Sequence, residues 1–140
     1  MSHAAEQSVL GAIMIDSRAY HRCAAVIGPD DFTAPEHRAL WLLLAELIET
    51  DAPVDAVTIG EIAERRDLSV GGLGYVLEVC NNTPGAASAD AYAEIVRGAS
   101  IRRQLRSVGR SLAQIESTGE TAMDEALAML AGVQCKQRTQ

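Results

Sequence analysis

The sequence predicts an all-α protein, with a compact head of five or six helices followed by a long αα-hairpin arm. Apolar residues recur at helical spacing along most of the chain. Signals for helix starts and helix ends separate these stretches. Valine and isoleucine never alternate with polar residues over a length typical of a strand. The 140 residues are the size of one domain, and a hydrophobic content of 48% with 22% charged residues is typical of a globular protein.

The first two helices are expected before residue 28. An apolar stripe that includes Val9 and Ile13 has helical spacing. Asp16 is expected as the N-cap of a second helix, since a short carboxylate accepts from the free N–H groups at a helix start. Gly28-Pro29 is a strong turn signal and ends that helix.

The third helix has the clearest amphipathic pattern in the chain. Thr33-Ala34-Pro35-Glu36 resembles a capping box with proline in the first helical turn. The apolar positions that follow are Leu40, Trp41, Leu44, Leu47 and Ile48. Trp41 is expected to be a core anchor of the head.

Two further helices complete the predicted head. Thr58 and Glu61 have capping-box spacing, and Gly71-Gly72 separates this helix from the next one. Residues 81–85 gather asparagine, proline and glycine and are expected to form a loop. The head is therefore expected to span residues 4–88.

A helical hairpin arm is expected over residues 89–135, with a linker starting at residues 136–140. Its first helix should run from about Asp90 to Ser117, roughly 40 Å at ~1.5 Å per residue. Thr118-Gly119-Glu120 breaks it, and a second helix follows. Apolar residues in the first helix are spaced 4, 3, 4, 3, which is typical of a coiled-coil seam, and the second helix offers a complementary face. The predicted self-association seam comprises Ile101, Leu105, Val108, Leu112, Ile115, Met123, Leu127 and Leu130.

Two arrangements of this arm are consistent with the pattern. Two hairpins from two chains would form a four-helix bundle, which covers the apolar seam economically. Alternatively, one hairpin would fold back on its own head.

The charge is distributed unevenly along the chain. Residues 1–90 contain 14 acidic and 5 basic side chains, whereas residues 91–140 contain 5 and 7. An acidic surface repels phosphates, which argues against strong nucleic-acid binding by the head. The arm has a basic stretch, which is expected to be solvated or paired with acidic groups, with a minor nucleic-acid contact as the alternative; it comprises Arg97, Arg102, Arg103, Arg106 and Arg110.

Motifs for catalysis and cofactor binding are missing from these residues. There is no G-x-x-x-x-G-K-[ST] sequence for binding nucleotide phosphates, and Lys136 is the only lysine. Histidines and cysteines do not have zinc-ligand spacing, so no metal is expected. The three cysteines are expected to be reduced thiols in a cytoplasmic protein, and no apolar run is long enough for a membrane span. A hydrolase using Asp31 and His37 is the enzymatic alternative.

Six segments resemble the N-terminal domain of DnaB-type replicative DNA helicases, in the family's order. They are Glu6-Gln7-Ser8-Val9-Leu10-Gly11, Asp31-Phe32 with His37-Arg38, Pro53-Val54-Asp55 with Val57-Thr58, Gly71-Gly72-Leu73 with Tyr75, Asn81-Asn82-Thr83-Pro84, and Tyr92-Ala93-Glu94-Ile95-Val96-Arg97. The resemblance extends from Glu6 to about Leu105 and is weaker beyond it. The connection at residues 66–70 is a little shorter than is common in the family.

The resemblance implies a non-catalytic domain of a DNA replication protein. Its hairpins would pair two protomers, three dimers would form a collar on a hexameric ring, and primase would bind the collar together with helicase loaders or initiators. No cofactor is expected here, because ATP and magnesium would be bound by the ATPase motor of the parent helicase, which is absent from these residues. A freestanding regulator, derived from a phage or plasmid and acting on a host helicase or primase, is the alternative.

Overall fold

A computed structural model describes residues 3–133, which form seven α-helices, a short 3-10 turn at Pro29–Asp31 and no strand. The predicted all-α class is confirmed. The helices are α1 (His3–Ile15), α2 (Ala19–Ala24), α3 (Pro35–Glu49), α4 (Ala56–Arg65), α5 (Gly72–Asn81), α6 (Ala89–Ala113) and α7 (Gly119–Ala131). The expected linker at 136–140 and the last two residues of the expected arm lie outside the described residues.

Helix α1 is the central element of the head. It packs against α2, α3, α5 and α6, and residues on most of its sides, such as Val9, Leu10 and Ala12, are inaccessible to solvent. A helix that is apolar on most sides is suited to this buried position. At Gly11 the helix passes so close to α5 that a Cβ atom would lie 2.8 Å from the Val79 carbonyl oxygen and would collide with the Thr83 side chain.

An aromatic cluster lies where α3 meets α2 and the 3-10 turn. Trp41, the expected core anchor, is 3% exposed. Its ring centroid lies 5.2 Å from that of Tyr20 and 5.4 Å from that of Phe32, within the range of favourable aromatic contacts. The cluster therefore joins three segments of the head.

Two of the expected capping boxes are wrong. Helix α3 has Ala34 at its N-cap position, and the Thr33 hydroxyl donates to Glu6 instead. Helix α4 begins one turn earlier than the Thr58–Glu61 pair indicated, because the Asp55 carboxylate accepts from the Thr58 N–H at 2.9 Å. A carboxylate three residues upstream is a stronger acceptor for these N–H groups than a threonine hydroxyl.

The start of α2 also differs from the expected one. Asp16 accepts from the N–H and the guanidinium of Arg18, and the helix begins only at Ala19. The ion pair forms a turn between α1 and α2. The expected N-cap at Asp16 is therefore wrong, although its carboxylate does accept a backbone N–H group.

The boundary expected between head and arm at residues 88 and 89 is also wrong. Ala89, Ala93 and Val96 of α6 are fully buried in the head core, and Ser100 is 2% exposed. The Ser100 hydroxyl donates to the Asp31 carboxylate at 2.6 Å, which fastens α6 to the 3-10 turn. Small side chains such as alanine give only a weak hydrophobic signal in a sequence, so their burial was not expected. Their size allows α6 to pack closely on α1.

The arm is formed by the second half of α6 together with α7. Helix α6 ends at Ala113, earlier than expected, and residues 114–118 connect the two helices. Helix α7 packs on α6, and none of its residues is buried. The hairpin therefore projects from the head and does not fold back on it. Among the helices of residues 3–133, none is both long and apolar enough to cross a membrane.

Candidate functional site

The outer face of α7 is the most apolar exposed stripe of the arm. Met123, Leu127 and Leu130 are spaced 4 and 3 residues apart, which places them on one side of the helix. They are 61%, 56% and 46% exposed, respectively. Leu105 on α6 is also 46% exposed. We call these four exposed side chains together the arm stripe.

The other four residues of the expected seam are half-buried. They are Ile101, Val108, Leu112 and Ile115. Ile115 lines a pocket at the tip of the hairpin together with Met129 of α7. The half-buried sides of both helices therefore serve the contact within the hairpin, whereas the arm stripe remains uncovered. The eight residues of the expected seam therefore fall into an inner set of four half-buried side chains and an outer set of four exposed ones, the arm stripe.

A basic groove lies on α6 next to the head. It has a volume of about 660 Å³, and its walls contain Arg102, Arg103 and Arg106 and no carboxylate. Ile95, which is 54% exposed, provides an apolar wall. Arg103 also donates to the main-chain carbonyl of Asp31 at 2.9 Å. We call this surface the arginine groove.

A buried polar network lies inside the head. The Glu6 carboxylate is 0% exposed and accepts from the Thr33 N–H at 3.0 Å and from the Thr33 hydroxyl at 2.7 Å. The ring Nδ1 of His37 lies 2.7 Å from Glu6 Oε1, and its Nε2 lies 2.6 Å from the Tyr75 hydroxyl. Gln7 donates to the same hydroxyl at 3.0 Å. The network links α1, α3 and α5.

The pKa of Glu6 is lowered from 4.5 to about 2. Burial alone raises the pKa of a carboxyl, but the hydrogen bonds from His37 and Thr33 outweigh it, and the charge of His37 adds to their effect. The carboxylate is thus ionised throughout the physiological range. Since an ionised carboxylate only accepts, His37 Nδ1 must donate to it.

The hydrolase alternative has no assembled site. His37 uses both ring nitrogens in the buried network. Asp31 accepts from the Gly28 N–H and from Ser100. The two side chains thus bind different partners and are already engaged in holding the head together. Among residues 3–133, no group of three or more His, Cys, Asp or Glu side chains is arranged to hold a metal ion.

The two cysteines of the described chain are both free thiols. Cys23 is fully buried, and burial raises the pKa of its thiol to about 11. Because the thiolate is the reactive form, this side chain is inert near neutral pH. Cys135 lies outside the described residues.

Comparisons with known proteins match this fold. A family model described as DnaB-like helicase N terminal domain matches residues 1–98. The chain belongs to this family. The DnaB-like fold is also found in the crystal structure of the N-terminal domain of DnaB helicase from Mycobacterium tuberculosis. That structure has a TM-score of 0.84 and 32% identity, and the match covers 93% of this chain and 96% of that one.

Two relatives of this DnaB-like domain are longer proteins. The chain is 38% identical over 112 residues to the replicative DNA helicase DnaB of Haemophilus influenzae, covering 79% of this chain and 24% of that helicase. It is 35% identical over 125 residues to the replicative DNA helicase DnaC of Bacillus subtilis, covering 88% and 28%. The chain therefore spans about a quarter of the length of these relatives.

A further solved structure supports the fold of the DnaB-like domain. It is described as a DnaB-like replicative helicase and its interactions with primase, with a TM-score of 0.74 and 21% identity. The match covers 94% of this chain and 31% of that one.

Sequence reasoning missed the buried network of this DnaB-like domain. It treated Glu6, His37 and Tyr75 as separate members of family-like segments and did not connect them. One signal was present, because Glu6 lies within a mostly apolar helix, where a charge requires a partner. The sequence alone does not indicate that the partners of Glu6 are Thr33 and His37.

Proposed function

We propose that this chain is the non-catalytic N-terminal domain of a cytoplasmic replicative DNA helicase. Two copies pair through their arms, the pairs assemble further into a hexameric collar, and the assembly presents a docking surface for primase and for loader or initiator proteins. The proposal is supported by the family, by the names of the relatives and by the solved relative described with primase. ATP and magnesium would be bound by the motor of the parent helicase.

The observation that carries this proposal is the exposed arm stripe. Leu105, Met123, Leu127 and Leu130 are solvent-exposed on a hairpin that projects from the head. Fully burying one such side chain contributes about 1.5 to 3 kcal/mol, so a stripe of this kind favours association. A second arm offers an equivalent surface, as expected for a twofold symmetric contact.

The test is a charge placed in the arm stripe. Leu127→Glu and Leu105→Glu should raise the dissociation constant for self-association at least about tenfold, because pairing would bury an unpartnered carboxylate. Sedimentation equilibrium measures the mass, and circular dichroism verifies that the helices are retained. The same variants should weaken binding of primase if it requires paired protomers.

Leu42→Glu is the matched control. Leu42 is 56% exposed on α3, the same exposure as Leu127, but it lies on the head. We expect this variant to associate as the unsubstituted chain does. Unchanged mass for both arm variants, with helicity intact, would contradict pairing through the arm.

A further inference from the structure

The arginine groove is an open surface that shares no lining residue with the arm stripe. Its three arginines give it a charge of +3, and its walls contain no carboxylate to balance this charge. The exposed Ile95 adds an apolar contact. A partner for this groove must therefore combine negative charge with exposed apolar side chains.

Helix α4 has both properties. Val57, Glu61 and Glu64 are spaced 4 and 3 residues apart and are all exposed, and Val57 is 59% exposed. Leu68, just after the helix, is 38% exposed. This apolar and acidic stripe has the spacing of one helix face.

The surroundings of α4 reinforce its negative charge. Asp55 and Asp67 flank the helix, whereas Arg66 is engaged with Glu46 at 2.7 Å. Together with Glu61 and Glu64 these aspartates outweigh Arg65 and leave a local charge of −3. The charge complements the arginine groove in sign and size.

The arginine groove itself has a matching periodicity. Ile95, Ala99, Arg102 and Arg106 of α6 are spaced 4, 3 and 4 residues apart and line one wall. Val57, Glu61 and Glu64 are spaced 4 and 3 residues apart on α4, and Leu68 follows after the end of the helix at Arg65. This spacing is common to helix faces and allows the side chains of two helices to interdigitate. On α6 the apolar residues Ile95 and Ala99 precede the two arginines, and on α4 Val57 precedes the two glutamates.

The contact has to be made between two molecules. Within one chain, α4 packs on α5, whereas the groove is formed by α6 and Thr33. We infer that the arginine groove of one copy binds the α4 stripe of a second copy. Because two different surfaces meet, this head-to-arm contact is heterologous and extends assembly beyond a symmetric pair. It goes beyond the pairing of arms proposed above.

Charge reversal and charge exchange test this inference in the 140-residue chain. The first variant carries Arg102→Glu and Arg106→Glu, and the second carries Glu61→Arg and Glu64→Arg. All four side chains are exposed, so the fold should be retained. Arg103 is left unchanged because it donates to the Asp31 carbonyl.

Each variant alone should associate at least about tenfold more weakly than the unsubstituted chain at low salt, because like charges would face each other. An equimolar mixture of the two variants should associate again, since each reversed surface then finds an opposite one. Arg110→Glu is the control, because Arg110 is exposed on the same helix but does not line the groove. Sedimentation velocity over a concentration series measures the mass, and raised salt should weaken the contact.

Several outcomes would overturn the inference. They are no association of the unsubstituted chain beyond a dimer, unchanged association of either variant, or no recovery in the mixture. Loss of single-stranded oligonucleotide binding in the arginine variant, with self-association unchanged, would assign the groove to phosphates and also overturn it. Adding Leu127→Glu to both charge-reversed variants distinguishes this contact from the arm pairing. Mixing them should still restore association, because the substitution lies outside both charged surfaces.

Discussion

At the residue scale, the buried Glu6 carboxylate is the most consequential side chain of the head. It accepts hydrogen bonds from the Thr33 N–H, the Thr33 hydroxyl and His37, and so joins α1 to the start of α3. A buried charge is tolerated only when such partners compensate for lost hydration. Its partner His37 is itself 0% exposed and continues the network to Tyr75.

Replacement of Glu6 by glutamine should lower the free energy of unfolding at pH 7 by on the order of 3 kcal/mol, because His37 loses its buried anionic partner. The pKa of Glu6 is about 2 in the folded protein and near 4.5 when unfolded. Its contribution is therefore fully present above pH 4.5 and is lost as the pH falls from 4.5 towards 2. Denaturant unfolding at several pH values should show a flatter acid dependence for Glu6→Gln.

Glu46→Gln is the control for this experiment. Glu46 and its partner Arg66 are each about half exposed, and such surface pairs contribute at most about 1 kcal/mol. An acid dependence of Glu6→Gln equal to that of the unsubstituted chain would assign the acid sensitivity to other carboxylates.

Trp41 offers a second test at the residue scale. Trp41→Ala should lower the free energy of unfolding by about 3 to 5 kcal/mol, because a cavity would open beside Tyr20 and Phe32. Urea unfolding followed by circular dichroism measures this, since the variant has no tryptophan fluorescence. A loss below about 1 kcal/mol would contradict the role of Trp41 in the core.

At the element scale, α6 belongs to both head and arm. Its first half supplies Ala89, Ala93 and Val96 to the core, and its second half carries Leu105 of the arm stripe. Because α6 is one continuous helix without proline, its direction in the head also sets the direction in which the arm leaves the head. A domain boundary drawn at the start of this helix therefore removes part of the core.

Truncation tests this shared role. A fragment that ends at residue 88 should not unfold cooperatively, because α1 would lose the α6 side chains that cover it. A fragment that ends at Ala113 keeps the whole of α6 and should fold. Thermal unfolding monitored by circular dichroism distinguishes the two, and a sharp transition in the shorter fragment would show that α6 is dispensable for the head.

At the scale of the whole molecule, an acidic head and a partly basic arm are joined in one chain. The stretch up to residue 90 has a net charge of −9, whereas the groove on α6 has three arginines. The proposed head-to-arm contact between copies would therefore be favoured by charge, and the proposed pairing of arms by apolar burial. The two kinds of contact should respond differently to salt, because ions screen charges and do not weaken apolar burial.

The 140-residue chain should not hydrolyse ATP. The sequence has no Walker-type phosphate loop, and Lys136 is its only lysine. A phosphate-release assay with and without single-stranded DNA measures turnover against a mock preparation. Turnover above that background would show a nucleotide site that the sequence pattern does not reveal.

The sequence by itself determined the all-α class, the helical hairpin and the apolar face that contains Trp41. These features depend on periodicity and on local start and stop signals, which act over one or two helical turns. Only the tertiary structure decided that His37 joins Glu6 to Tyr75, that the hairpin projects from the head, that α6 belongs partly to the head, and that half of the expected seam is exposed. Each of these depends on which helix faces cover one another, and residues 31 to 69 positions apart carry no local signal of their contact.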